Sequence, residues 1–407
     1  MAMERTAGAR GPTIGTTQSE PDFSLVLGGP LFQLLRRAHL SDDALTLLRK
    51  RVGVFVLVAW LPLLVISLAQ GQAVKSAVAV PFLRDVELHV RFLVALPLLI
   101  VAELVVHQRM DPVVRLFRDR RLIPEAELGR FQDAIDSASR LRNSVVAEVL
   151  LLALVYGVGV QVLWRHYIAL NTATWYAMPS AGGPVLSAAG FWYGYVSLPI
   201  FQFLLCRWYF RVFIWARLLY QVSRLDLRLV PTHPDRQGGL GFLANTVYAF
   251  APLAAAHGAM LAGPFASRIF NMSANVAEFR MEAFALVALV LCMVFGPLLV
   301  FVPKLSQARR RGLREYGTFA ERYTRAFEEK WLRGGAVLDE ALLGTGDIQS
   351  LADLGNSLEV VRSMRIVPVT KEALFQLGMV TLAPMLPLLL TAMPLGELLK
   401  KLFGLLF

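Results

Sequence analysis

The chain has almost no cysteine: Cys206 and Cys292 are its only two in 407 residues, and both lie in apolar stretches. That excludes a disulfide framework and a cysteine-based zinc site, and it leaves both thiols as small buried hydrophobes. Charge is scarce as well, at 17% of residues, where a soluble domain carries about a quarter. No H-E-x-x-H, G-x-S-x-G or Walker A pattern occurs, so the common hydrolase and NTPase mechanisms lack their parts. No catalytic set, metal site or cofactor is expected. Residues 1–22 hold no apolar core, which argues against a cleavable signal peptide and predicts a disordered tail.

Apolar residues dominate instead, at 56%, with a mean hydropathy of +0.53. The formal charge of +11 could suggest nucleic acid. Membrane proteins, however, gather Lys and Arg in cytoplasmic loops, and that reading fits this composition without a nucleic-acid partner. A bilayer span needs about 20 apolar residues. Seven segments qualify: Val52–Ala69, Phe92–Val106, Ser144–Trp164, Gly190–Tyr209, Leu240–Ala262, Glu282–Val302 and Leu374–Met393. The predicted fold is therefore an all-α polytopic membrane helix bundle of about seven transmembrane helices.

The connections test that list independently. Basic residues crowd the stretches before span one, between spans two and three, after span four and after span six. They are sparse in the alternate loops, where Arg165 stands alone after span three. The positive-inside rule then puts the N-terminus in the cytoplasm. The C-terminus lies outside if segment seven crosses once, and inside if it forms a re-entrant hairpin. The Arg-, Ala- and Leu-rich composition suggests the inner membrane of a bacterium.

Around the six-span core, 52–303, other parts separate. Residues 23–51 read as an amphipathic helix on the inner leaflet, since basic residues lie between helically spaced apolar ones. Residues 304–373 form a cytoplasmic helical insert, its second helix starting near a Ser350–Asp353 capping box. Residues 374–407 hold the seventh span and a terminal amphipathic segment. Trp175, Tyr176 and Trp192 suit an outer interfacial belt.

Ionisable groups inside spans are expensive to bury, which makes them candidates for function. Glu103, Glu148, Arg207 and Arg211 fall at about the same depth near the cytoplasmic ends of spans two, three and four. Arg207 and Arg211, four residues apart, share one helix face. Two readings stand: ion pairs that lock helices together, or a polar inner vestibule for an ion, proton or anionic solute. His257 falls toward the outer side of span five, between rows of small residues that let helices approach closely. It is either a neutral imidazole bonded to a neighbouring helix or a proton-relay residue. Pro62, Pro97, Pro199, Pro252 and Pro297 place a proline in most spans, as broken transporter helices do.

Between spans four and five runs "PTHPDRQGGLGFL", Pro231–Leu243. His233, Asp235, Arg236, Gly238 and Gly239 could hold an anion at the amino end of span five. Asp235 could equally cap those N–H groups itself. The His-Pro-Asp tripeptide resembles that of J-domain co-chaperones, but a span begins within six residues of it. "EEKWLR", Glu328–Arg333, resembles the Glu-Glu-x-x-x-Arg of intramembrane prenyl-protein proteases, but it lies in a charged helix without the partner histidine motifs. The leading expectation is a transporter or channel-like protein. The alternative is a scaffold or signalling subunit docking a protein partner through 304–373, and a weaker third is a lipid-modifying enzyme using His233 and Asp235. Expected partners also include membrane lipids with anionic inner-leaflet headgroups.

Overall fold

A computed structural model describes residues 23–39, 47–74, 78, 80–164, 174–178, 180, 184–272, 274–335 and 344–391. The tail at 1–22 and the terminal segment 392–407 lie outside the described residues. Seven helices are long and apolar enough to cross a membrane, one at each anticipated position. They are spans one (Leu48–Ala69), two (Val86–Asp119), three (Val145–Val162), four (Ala188–Ser223), five (Gly241–Asn271), six (Val276–Leu332) and seven (Lys371–Leu389). The all-α bundle follows from the sequence pattern.

Local chemistry sets where many of these helices start. Asp85, Ser144, Ser187 and Thr370 each accept a hydrogen bond from a first-turn N–H, and Asn275 with Glu278 forms a capping box before span six. The prolines rewind the helices without breaking them. A π-type stretch, Arg91–Ala95, precedes Pro97, and another, Tyr193–Ser197, precedes Pro199. The 3₁₀ stretches Gly241–Phe250 and Gly296–Phe301 precede Pro252 and contain Pro297. A proline ring crowds the carbonyl one turn back, and a change of winding relieves that contact.

Small residues bring spans five and seven together. Ala254, Ala259 and Ala262 are buried, and Gly258 sits so close to the Thr381 backbone that a Cβ would collide with the Thr381 carbonyl. Cys292, expected inside, is exposed on the apolar outer surface of span six, and Cys206 is half-buried. Periodicity cannot tell a lipid-facing position from a core position, because both are apolar.

Several spans overshoot the bilayer on their basic side, called the inner side below. Span two has 34 residues, about 51 Å at 1.5 Å each, against roughly 30 Å of hydrocarbon. The overshoots pack into an inner platform where Phe117 meets Phe131, Phe242 and Phe301. The insert belongs to that platform. Its first helix, Val302–Phe327, continues span six, and Gly346–Arg362 folds back against it. The second helix starts before the anticipated capping box, with Asp347 in its first turn held by Lys330 Nζ at 2.9 Å.

The 23–51 stretch is not one helix. Helix Pro30–Arg37 ends at His39, which takes a left-handed φ of 53°. Residues 40–46 lie outside the described residues, and Arg51 already belongs to span one. Phe32 and Leu35 are buried against protein, so the apolar face that suggested a leaflet covers the bundle instead.

On the outer side Trp175 is fully buried, a correction to the expected belt. Its indole N–H donates to Asp85 Oδ2 at 2.9 Å, and its ring meets Phe82 and Tyr193. Trp175 thereby packs over the start of span two.

Candidate functional site

Four of the five intramembrane candidates meet in one buried ionic layer. Glu103 of span two accepts from Arg211 at 2.6 Å and from Arg207 at 3.4 Å on Oε1, and from Arg51 on Oε2. Glu148, in the first turn of span three, lies 3.3 Å from Arg207 Nε. The i, i+4 spacing of Arg207 and Arg211 delivers both guanidinium groups to the same carboxylate. All five residues are buried, none more than 7% exposed. Trp208 lies between the two span-four arginines in sequence. Its indole N–H donates to Leu99 O at 2.8 Å, and its ring supports the Arg211 guanidinium at 4.9 Å.

Sequence reasoning missed three members of this layer. Arg51 reads as one more topological cation before span one, yet it points inward. Arg142, just ahead of span three, makes no carboxylate pair among the described residues and donates to Asn143 and to the Ser24 carbonyl. Burial first, and the nearby Arg211 second, push the Arg142 guanidinium down to about 10. The third member is the segment 23–37 itself. Phe23, Leu25 and Val26 are almost completely buried at the inner mouth. Gly28 O accepts from Arg207 at 3.3 Å, Gly29 N donates to Asn143 Oδ1 at 3.0 Å, and Leu31 N donates to Glu148 Oε2 at 2.8 Å. Ser24 Oγ lies 3.0 Å from His107 Nδ1 on span two.

The charge count is uneven. Among the described residues, Arg51, Arg207 and Arg211 face Glu103 and Glu148, a surplus of one positive charge before Arg142 is added. Two backbone carbonyls of the segment 23–37 take further donors, Gly28 O from Arg207 and Ser24 O from Arg142. The anticipated inner vestibule is occupied by residues of the segment 23–37, which bond to Arg207, Arg142, Asn143 and Glu148.

The fifth candidate, His257, sits at nearly the same level and not toward the outer side. Its Nε2 is 2.9 Å from the Tyr209 hydroxyl, two residues beyond Arg207, and its Nδ1 is 2.7 Å from Leu253 O. Span five begins deep in the inner platform, with Gly239 and Phe242 beside Arg120, so its midpoint comes lower than hydropathy suggested. Nδ1 can only donate to that carbonyl, which leaves Nε2 to accept from Tyr209 in a neutral ring.

The loop Pro231–Leu243 is a separate site. Gly239 packs on Leu122 and its carbonyl accepts from Arg120, seventeen residues past Glu103 on span two, or about 25 Å along the helix. Asp235 takes the N–H groups of Gln237 at 2.8 Å, Gly239 at 3.2 Å and Gly241 at 2.8 Å. Burial alone would push its carboxyl up, but those donors and His233 outweigh burial and hold it below the usual carboxylate range. His233 Nδ1 lies 2.9 Å from Asp235 Oδ1, and Gly238 and Gly239 turn the chain at φ 64° and 99°. The insert completes the enclosure: Arg365 N donates to Arg236 O at 2.7 Å, and Met364 lies against Gly238. The N–H groups that could hold an external anion hold the chain's own carboxylate.

No protein-family model matches the chain, and no curated protein or solved structure does either.

Proposed function

We propose that this integral membrane protein is a transporter or channel-like protein for a small anion, resting with its inner mouth closed by residues 23–37. The observation that carries the reading is the cation surplus of the buried layer, compensated by backbone carbonyls of a terminal segment. A buried ion without a full counter-charge is expensive, and carbonyl dipoles offset it only in part. An anion arriving from the inner side would replace the carbonyls of Ser24 and Gly28 and neutralise the surplus. Spans one to four all contribute to the layer, so a change of partners there is felt across the bundle.

Flux in proteoliposomes tests this. The full chain should pass chloride, phosphate or acetate slowly. Leu25→Asp, or deletion of residues 2–37, should raise the rate at least tenfold, and Arg211→Gln should remove the gain. Absence of anion flux in all of these folded variants would overturn the proposal in favour of a scaffold acting through 304–373. The catalytic alternative at His233 and Asp235 gains no support, because both Asp235 oxygens already accept backbone hydrogen bonds.

A further inference from the structure

A cavity of about 530 Å³ opens where span four ends and span six leaves the bilayer. Tyr220, Leu299, Val300 and Pro303 give it an apolar wall, and Ser223, Arg224, Lys304 and Gln307 give it a polar one. A second cavity, about 390 Å³, shares Lys304 and Gln307 and continues inward past Asp226, Arg228 and Tyr316. Together they form one crevice, apolar at its membrane end and polar at its inner end.

Its depth follows from span six. Met281, Phe284, Leu289 and Leu299 are exposed apolar residues along that helix. From Met281 to Leu299 is eighteen residues, about 27 Å, close to the thickness of the hydrocarbon layer. Pro303 and Lys304 come directly after it, so the crevice lies at the headgroup level of the inner leaflet.

Its charge is unspent. Arg224 and Lys304 stand on facing helices and carry no ion pair or side-chain hydrogen bond among the described residues. Arg311, in the second cavity, is by contrast already paired with Glu315 at 2.8 Å. Two free cations beside the Gln307 amide and an apolar wall match a phosphodiester with an acyl chain attached, while the Ser223 hydroxyl already donates to Tyr220 O.

We infer that the crevice between spans four and six is a binding site for an anionic phospholipid, its phosphate held between Arg224 and Lys304. The acyl chain lies along Leu299 and Tyr220, and the polar end of the headgroup enters the second cavity beside Arg228 and Gln307. This site is independent of the ionic layer and of the transport reading.

Native mass spectrometry of the delipidated full chain in detergent tests the inference. Phosphatidylglycerol, phosphatidylcholine and soluble glycerol phosphate are each added at equal concentration. Phosphatidylglycerol should be retained at least tenfold better than the other two. The double variant Arg224→Gln, Lys304→Gln should lose that preference. A control with the same charge removed outside the crevice, Arg310→Gln with Arg322→Gln, should keep it. Equal loss in the control would mean diffuse surface attraction and overturn the site. Equal retention of phosphatidylcholine would overturn the charge argument, and equal retention of glycerol phosphate would replace the lipid with a soluble phosphate. Unchanged thermal unfolding of both double variants separates lost binding from lost fold.

Discussion

The ionic layer and the Asp235 loop are both buried polar sites, and they are built in opposite ways. The loop is local: one carboxylate collects three N–H groups within six residues of itself. Its carboxylate is satisfied within the loop, although Gln237 Oε1 beside it is buried without a hydrogen-bond partner. The layer is non-local, drawing Arg51, Glu103, Glu148 and Arg207 from four different spans, and it is left positively charged. A site that closes on itself holds a fold together, whereas under the proposed function the layer exchanges the carbonyls of residues 23–37 for an anion.

The comparison breaks most readily at Glu103. Glu103→Gln leaves three guanidinium groups around a neutral amide, and removing one partner of a buried ionic cluster costs about 3–5 kcal/mol. Thermal unfolding in detergent should show a larger loss than Asp235→Asn, Arg51→Gln or Tyr209→Phe. A loss as small as that of an exposed pair would mean that water reaches the layer and screens it.

Asp235→Asn comes next. It weakens acceptors for three enclosed N–H groups, which costs about 1–3 kcal/mol. It should also speed amide exchange at Gln237, Gly239 and Gly241, and only there, because the site is local. The pH dependence has a fixed sign. The folded-state carboxyl lies below its usual range, so its contribution is present above the unfolded value near 3.8 and is lost as pH falls through the depressed one. Stability that did not fall on acidification through the carboxylate range would mean that the three N–H groups do not favour the ionised carboxyl.

Arg51→Gln sharpens the contrast further. Glu103 retains Arg207 and Arg211 when Arg51 is gone, and the change removes the surplus charge. Its cost should be about 1 kcal/mol, that of an ordinary hydrogen bond. The comparison to make is with Glu103→Gln by the same unfolding measurement. Equal costs would mean that the layer is a balanced lock, as the Asp235 loop is, and would remove the basis for an exchangeable anion.

How much of this was legible in the sequence follows the same division. Span positions, the pairing face of Arg207 and Arg211, and the capping role open to Asp235 are short-range properties, readable from periodicity and turn chemistry. The inward turn of Arg51, the seating of Phe23–Arg37 in the inner mouth and the burial of Trp175 depend on contacts between residues tens to more than a hundred positions apart. Their types gave no sign, since an arginine before a span ordinarily marks topology and a tryptophan after one ordinarily marks the interface. The depth of His257 was misread because hydropathy marks an apolar run without fixing where in the bilayer it begins.

That depth supplies the smallest test. Tyr209→Phe removes only the hydroxyl facing His257 Nε2, and interhelical hydrogen bonds of this kind contribute about 0.6 kcal/mol in membrane bundles. Unfolding should shift by no more than that, and anion flux should be unaltered, because His257 bonds to Tyr209 and Leu253 and to no member of the ionic layer among the described residues. A change in flux or in its pH profile would instead make His257 part of the exchanging site. The layer would then extend from span four into span five, and the line between a locking contact and a working one would have to move with it.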